Sequence, residues 1–134
     1  MYSIRVACML LMVLVLASMA MAGTIYVPGD YALVQDAINN AIAGDTIEVA
    51  AGTFIHTGHL NVNKSLTIQG AGRDVTFLKR SGVPGKYDYS IYIPNTTSNV
   101  IIKDLTVGWE TLTSDGMGYV ISTSAPYTTL NNIH

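Results

Sequence analysis

The stretch from Lys79 to Ile93, KRSGVPGKYDYSIYI, gathers three cations, Lys79, Arg80 and Lys86, with three tyrosines, Tyr87, Tyr89 and Tyr92. A tyrosine offers a flat apolar ring and a hydroxyl, and a neighbouring cation attracts anionic groups. That combination suits an acidic sugar chain. Lys86, Tyr87 and Tyr89, with Trp109 beyond a later strand, are therefore the candidate substrate-binding residues. The plainer reading of the same stretch is a solvated insertion whose aromatics fold back onto the body.

Cleaving a polysaccharide needs a proton donor and acceptor, or a calcium-assisted base, so carboxylates must be brought together. Asp30, Asp36 and Asp45 belong to a helix and its turns, Glu48 is the outward residue of a strand, and Asp74 and Asp88 fall in loops. Only Asp104 and Asp115 lie near the outer face of a late strand, and calcium demands several converging oxygens. Asp104 reads better as a corner residue. His56 and His59, in FIHTGHL, lack the further ligands of a zinc site and read as loop histidines. No catalytic set and no metal site emerge, and no cofactor is indicated. Calcium enters only if a longer protein brings more acids to the face.

The net charge of −2 gives no basic patch for nucleic acid. Charged residues are only 12% against 49% hydrophobic, and much of that imbalance sits in residues 1–22, MYSIRVACMLLMVLVLASMAMA. Arg5 supplies a positive start, Val6 to Leu16 an apolar core, and Ala20-Met21-Ala22 a small-x-small cleavage site before Gly23. The competing reading is an uncleaved anchor. The apolar core is short for a span and decays into Ala, Ser, Met and Gly, which favours a cleaved signal peptide and no stable membrane span thereafter. The single cysteine, Cys8, lies in that leader, so the mature chain has no disulfide to staple it.

The elements that must position these residues are short. Ile25-Tyr26-Val27 is a strand stopped by Pro28-Gly29. Asp30 is the expected N-cap of a helix whose apolar stripe is Val34, Ala37, Ile38, Ala41 and Ile42, ended by Gly44. Strands and corners follow: Thr46 to Val49, Leu60 to Val62, Leu66-Thr67-Ile68, Val75-Thr76-Phe77, Val100 to Ile102, Leu105 to Val107 and Tyr119 to Ile121. In both Leu66-Thr67-Ile68 and Val75-Thr76-Phe77 the outer residues are expected inside and the threonine outside. Val100-x-Ile102-x-Asp104-Leu105 repeats as Thr128-x-Leu130-x-Asn132-Ile133, an offset of 28 residues. Strands recurring without Asn-Gly or Asp-Gly hairpins argue for parallel stacking, with Ile68, Ile102 and Leu130 piled inside and Asp104 and Asn132 meeting at a corner. An antiparallel sandwich with longer turns is the alternative. The helix would then cover the first exposed rung.

Gln35-Asp36-Ala37-Ile38, Gly44-Asp45-Thr46-Ile47, Gly52-Thr53-Phe54 and Lys64-Ser65-Leu66-Thr67-Ile68-x-Gly70-x-Gly72 together resemble the N-terminal part of secreted proteins of the pectin lyase-like superfamily. The resemblance covers about residues 24–82. It implies an all-β right-handed parallel β-helix with one N-terminal capping helix, divided as signal peptide 1–22, strand and cap 23–45, and first coils 46–134. It also implies a secreted, periplasmic or cell-surface location and an acidic polysaccharide such as pectin as partner. The superfamily contains lyases, hydrolases, esterases, metallocentre-assembly factors and non-catalytic surface proteins, so the fold does not choose an activity. The expectation is a carbohydrate-active or carbohydrate-binding protein whose catalytic residues are not in this segment. The alternatives are a non-catalytic scaffold or adhesin and a metallocentre-assembly factor. The last rung lacks a cover, which leads to the expectation of a longer protein, or of an oligomer if the chain ends at His134.

Overall fold

A computed structural model describes residues 21–111 and 119–134. The leader's residues 1–20 and Asp115 lie outside them. In chain order the elements are β1 (Thr24–Val27), α1 (Val34–Asn40), β2 (Thr46–Val49), β3 (Gly52–His56), β4 (Leu60–Asn61), β5 (Thr67–Gly70), β6 (Thr76–Arg80), β7 (Tyr89–Ile93), β8 (Ile101–Trp109), β9 (Tyr119–Thr123) and β10 (Thr129–Ile133). Every strand pair is parallel. The antiparallel sandwich is therefore excluded.

The closed right-handed β-helix is also corrected. The strands form two separate sheets, one of seven strands along the path β1-β2-β5-β8-β6-β3 with β10 added to β8, and one of three strands, β4-β7-β9. The larger sheet is an open path, and among the described residues no ladder joins it to the smaller one to close a solenoid. The recurring motif in the sequence specifies strand, corner and direction. It does not specify closure, which needs ladder pairs around the whole circuit. β4, with two residues, can offer only Leu60 and Asn61 to β7.

Parallel strands buried on their inner side put branched apolar residues in register. Ile25, Ile47, Ile68, Ile102 and Leu130 align across β1, β2, β5, β8 and β10. Ile47, Ile68 and Ile102 are fully buried, whereas Leu130 is 47% exposed. It holds the expected register but, on the last strand of this row, has a neighbour on one side only. A second inner row joins Phe54, Leu78 and Val107 across β3, β6 and β8. β8 belongs to both halves of the large sheet: Ile101–Lys103 pair with β5 and Thr106–Trp109 with β6.

The bend between these halves is at Asp104, whose φ is +58°, and Asn132 repeats it with φ +51°. Asn132 Nδ2 donates to Asp104 Oδ1 at 2.8 Å, so the two corner residues meet as the 28-residue offset requires. Short polar side chains tolerate this left-handed conformation better than branched ones. Gly70 lies against the same corner, where an added Cβ would sit 2.3 Å from the Asp104 carbonyl oxygen. Only glycine allows that approach.

Leu66-Thr67-Ile68 has the expected phase, but Val75-Thr76-Phe77 is reversed: Thr76 is fully buried and Val75 is 46% exposed. The Thr76 hydroxyl donates to Ala50 O and accepts from Ala71 N, so a turn polar group is satisfied inside instead of an apolar one.

α1 packs against β1, β2, β3 and β4. It buries Val34, Ala37 and Ile38, with Ala41 just beyond, but Ile42 is largely exposed. Asp30 does not cap it: the cap position is Leu33, and the Asp30 carboxylate accepts from Tyr26 N in the preceding turn. The other end is held by Lys64, whose ammonium donates to the carbonyls of Ile38, Asn39 and Ala41 at 3.0, 2.7 and 2.8 Å. Cations at a helix C-terminus satisfy both its free carbonyls and its dipole.

Candidate functional site

β7 reads YSIYI, and strict alternation would place Tyr89 and Tyr92 on opposite faces. Ser90 and Ile91 are instead buried in succession, which breaks the alternation and brings the two tyrosines out together. Their rings stack with centroids 5.2 Å apart at 30°. His59, in the turn before β4, packs on both, 4.9 Å from Tyr89 and 5.7 Å from Tyr92. The result is a half-exposed aromatic face built from three rings.

Arg80, at the end of β6, fixes this face from below. Its guanidinium lies 4.6 Å from the Trp109 ring, donates to Tyr89 O at 2.6 Å, and stands 3.6 Å from Asp88 Oδ1. Cation–π contact and the carbonyl bond together tie β6, β7 and β8 at one corner. Trp109 is only 6% exposed, so its ring supports Arg80 and is not part of the open surface. Of the four candidates, Tyr89 and Trp109 are thus joined through Arg80. Lys86 and Tyr87 form a separate pair on the loop, with the ammonium 5.5 Å from a ring whose residue is 74% exposed.

His56 lies behind the aromatic face. Its Nδ1 is 3.0 Å from Gly58 O and its Nε2 is 3.1 Å from Ser90 Oγ. A carbonyl only accepts, so Nδ1 carries the proton and Nε2 accepts from the serine hydroxyl. Burial holds the His56 pKa below its ordinary value; the Gly58 bond partly opposes this, and Arg80 and His59 add to the lowering. The pair has the contacts of a nucleophile and its base, yet Ser90 is fully buried and meets no substrate. It fastens β7 to the turn after β3.

A groove of about 540 Å3 opens beside this cluster, between the start of α1 and β3. Leu33, Val34, Phe54, Ile55, His56 and His59 are among its walls. Among the described residues no group of three or more His, Cys, Asp and Glu side chains converges as metal ligands, and no helix is long and apolar enough to cross a membrane.

His59, Tyr92 and Arg80 were not among the candidates selected for binding. Arg80 and Tyr92 stood in the same loop sequence, but the pairing of His59 with β7 depends on a parallel register between distant segments, Leu60 facing Ile91. No family profile, curated protein or solved structure matches the chain.

Proposed function

We propose that the chain belongs to an exported protein that binds an acidic polysaccharide on the face of His59, Tyr89 and Tyr92. The observation that carries this reading is the stacked tyrosine pair with a histidine against both rings. Sugar rings present flat C–H faces that pack on aromatic rings, and stacked tyrosines are already ordered for such contact. Lys79 and Lys86 in the surrounding sequence add the positive charge that uronate carboxylates require, whereas Arg80 is committed to Trp109, Tyr89 O and Asp88. The resemblance to pectin lyase-like proteins over residues 24–82 supports the same substrate class.

Calorimetric titration with oligogalacturonate and with a neutral glucan of equal length tests the reading. The acidic chain binds, the neutral one binds at least about tenfold more weakly, and Tyr92→Ala removes about 1–2 kcal/mol of affinity, the scale of one aromatic contact. Equal affinity for both sugars, or an unchanged affinity in Tyr92→Ala, overturns it.

The non-catalytic scaffold is favoured by one observation, the complete burial of Ser90 in the only serine–histidine contact among the described residues. A scaffold would keep the sugar contact and release no product on long incubation.

A further inference from the structure

We propose that Asp45 is a built receptor for a new N-terminus at Gly23, and that removal of the leader completes the fold by creating a buried ion pair. The idea is independent of the polysaccharide reading and rests on the expectation of cleavage after Ala22.

Asp45 is 6% exposed, and its two carboxylate oxygens are both engaged: Oδ1 accepts from Gly23 N at 2.6 Å and Oδ2 from Ile42 N at 2.9 Å. Both donors are neutral backbone amides in the uncut chain. Among the described residues no cation lies within ion-pair distance of Asp45. A buried carboxylate without a counter-charge is costly, even when it is hydrogen-bonded. The group that would neutralise it already stands at the shortest of its contacts, and the sequence places the small-x-small motif immediately before that group.

The scissile bond is also accessible: Met21 is 85% exposed, and Ala22 and Gly23 are exposed. Hydrolysis by a small-residue-specific leader protease adds water across the Ala22–Gly23 amide. Ala22 leaves with a carboxylate, and the Gly23 nitrogen takes up a proton to become an ammonium. It does not have to move, because Thr46 N donates to Gly23 O at 2.9 Å and Thr24 is already paired with Thr46. Two other charges belong to the elements packed here. Lys64 is committed to the carbonyls at the end of α1, and Glu48 points outward from β2. Neither competes for the amine.

An ammonium paired this way has its pKa raised above that of the unfolded chain. Its stabilisation is full below the unfolded value of about 7.7–8.0 and is lost as pH rises through the folded value.

The test expresses the whole chain with its leader in a secreting host and reads the N-terminal sequence of the exported product. That product is compared with the same chain carrying Ala22 as one extra residue. The product is expected to begin at Gly23 and to melt several degrees above the extended chain at pH 7, with the gap closing at alkaline pH. Its α-amino group, followed by NMR titration, should titrate above the ordinary range, and Asp45→Asn should return it there. If Asp45→Asn does not fold, the titration of the unsubstituted product decides alone. An α-amino group titrating in the ordinary range overturns the receptor, and an exported product that retains Ala22 overturns the processing step. Neither readout involves a sugar, so both stand or fall apart from polysaccharide binding.

Discussion

At the scale of single residues, His56 makes the structure sensitive to acid. Its pKa is lowered mainly by burial, so the folded protein binds the proton less readily than the unfolded chain does. The sign follows from linkage: stability is full above the unfolded value of about 6.5 and falls as acidification protonates the imidazole. Protonated Nε2 can no longer accept from Ser90, and a second positive charge then faces Arg80. The melting temperature should decline between pH 7 and pH 5, and His56→Gln should flatten that part of the curve. An equal decline in His56→Gln would place the acid sensitivity elsewhere. The histidine itself was visible in FIHTGHL. Its role was not, because the partner serine is 34 residues away in sequence.

At the scale of elements, α1 depends more on Lys64 than on its own sequence. Seven residues are too few for a helix to stand alone in water, so the packing of Val34, Ala37 and Ile38 and the closed C-terminal carbonyls must hold it. Lys64→Met keeps the length of the side chain and removes three donors. It should cost about 1–3 kcal/mol, measured by urea denaturation, since hydrogen bonds to a charged donor are lost at a partly buried helix end. Amide exchange should quicken first in α1. The apolar spacing made this helix legible, and its buried face came out as expected apart from Ile42. Asp30 misled because its carboxylate had a nearer amide, that of Tyr26, in the turn it also helps to make. The same competition reversed Val75-Thr76-Phe77: alternation sorts apolar from polar, but a corner carbonyl at Ala50 and an amide at Ala71 made the threonine the better inward residue.

For the molecule as a whole, β8 is the common member. It pairs with β5, β6 and β10, so both halves of the large sheet share its backbone. Ile102 lies fully buried in its first half. Ile102→Ala should cost about 2–5 kcal/mol through lost burial and the cavity left behind. Hydrogen exchange should accelerate together in β5, β6 and β10, whereas acceleration confined to β5 would show that the halves open independently. Parallel direction was readable because the strands recur without hairpin turns, and the corner at Asp104 was readable from the repeat because a bend is a local property of the backbone. The division into two sheets was not, since the residues that would close a circuit leave no periodic trace when no ladder forms.

The connection from Ser81 to Asp88 leaves β6 and returns at β7, and Arg80 at its start holds its far end through Asp88 and the Tyr89 carbonyl. The strands beneath hold their register without it. That span can therefore change in length and residue type while the framework, with His59, Tyr89 and Tyr92 on it, is inherited unchanged.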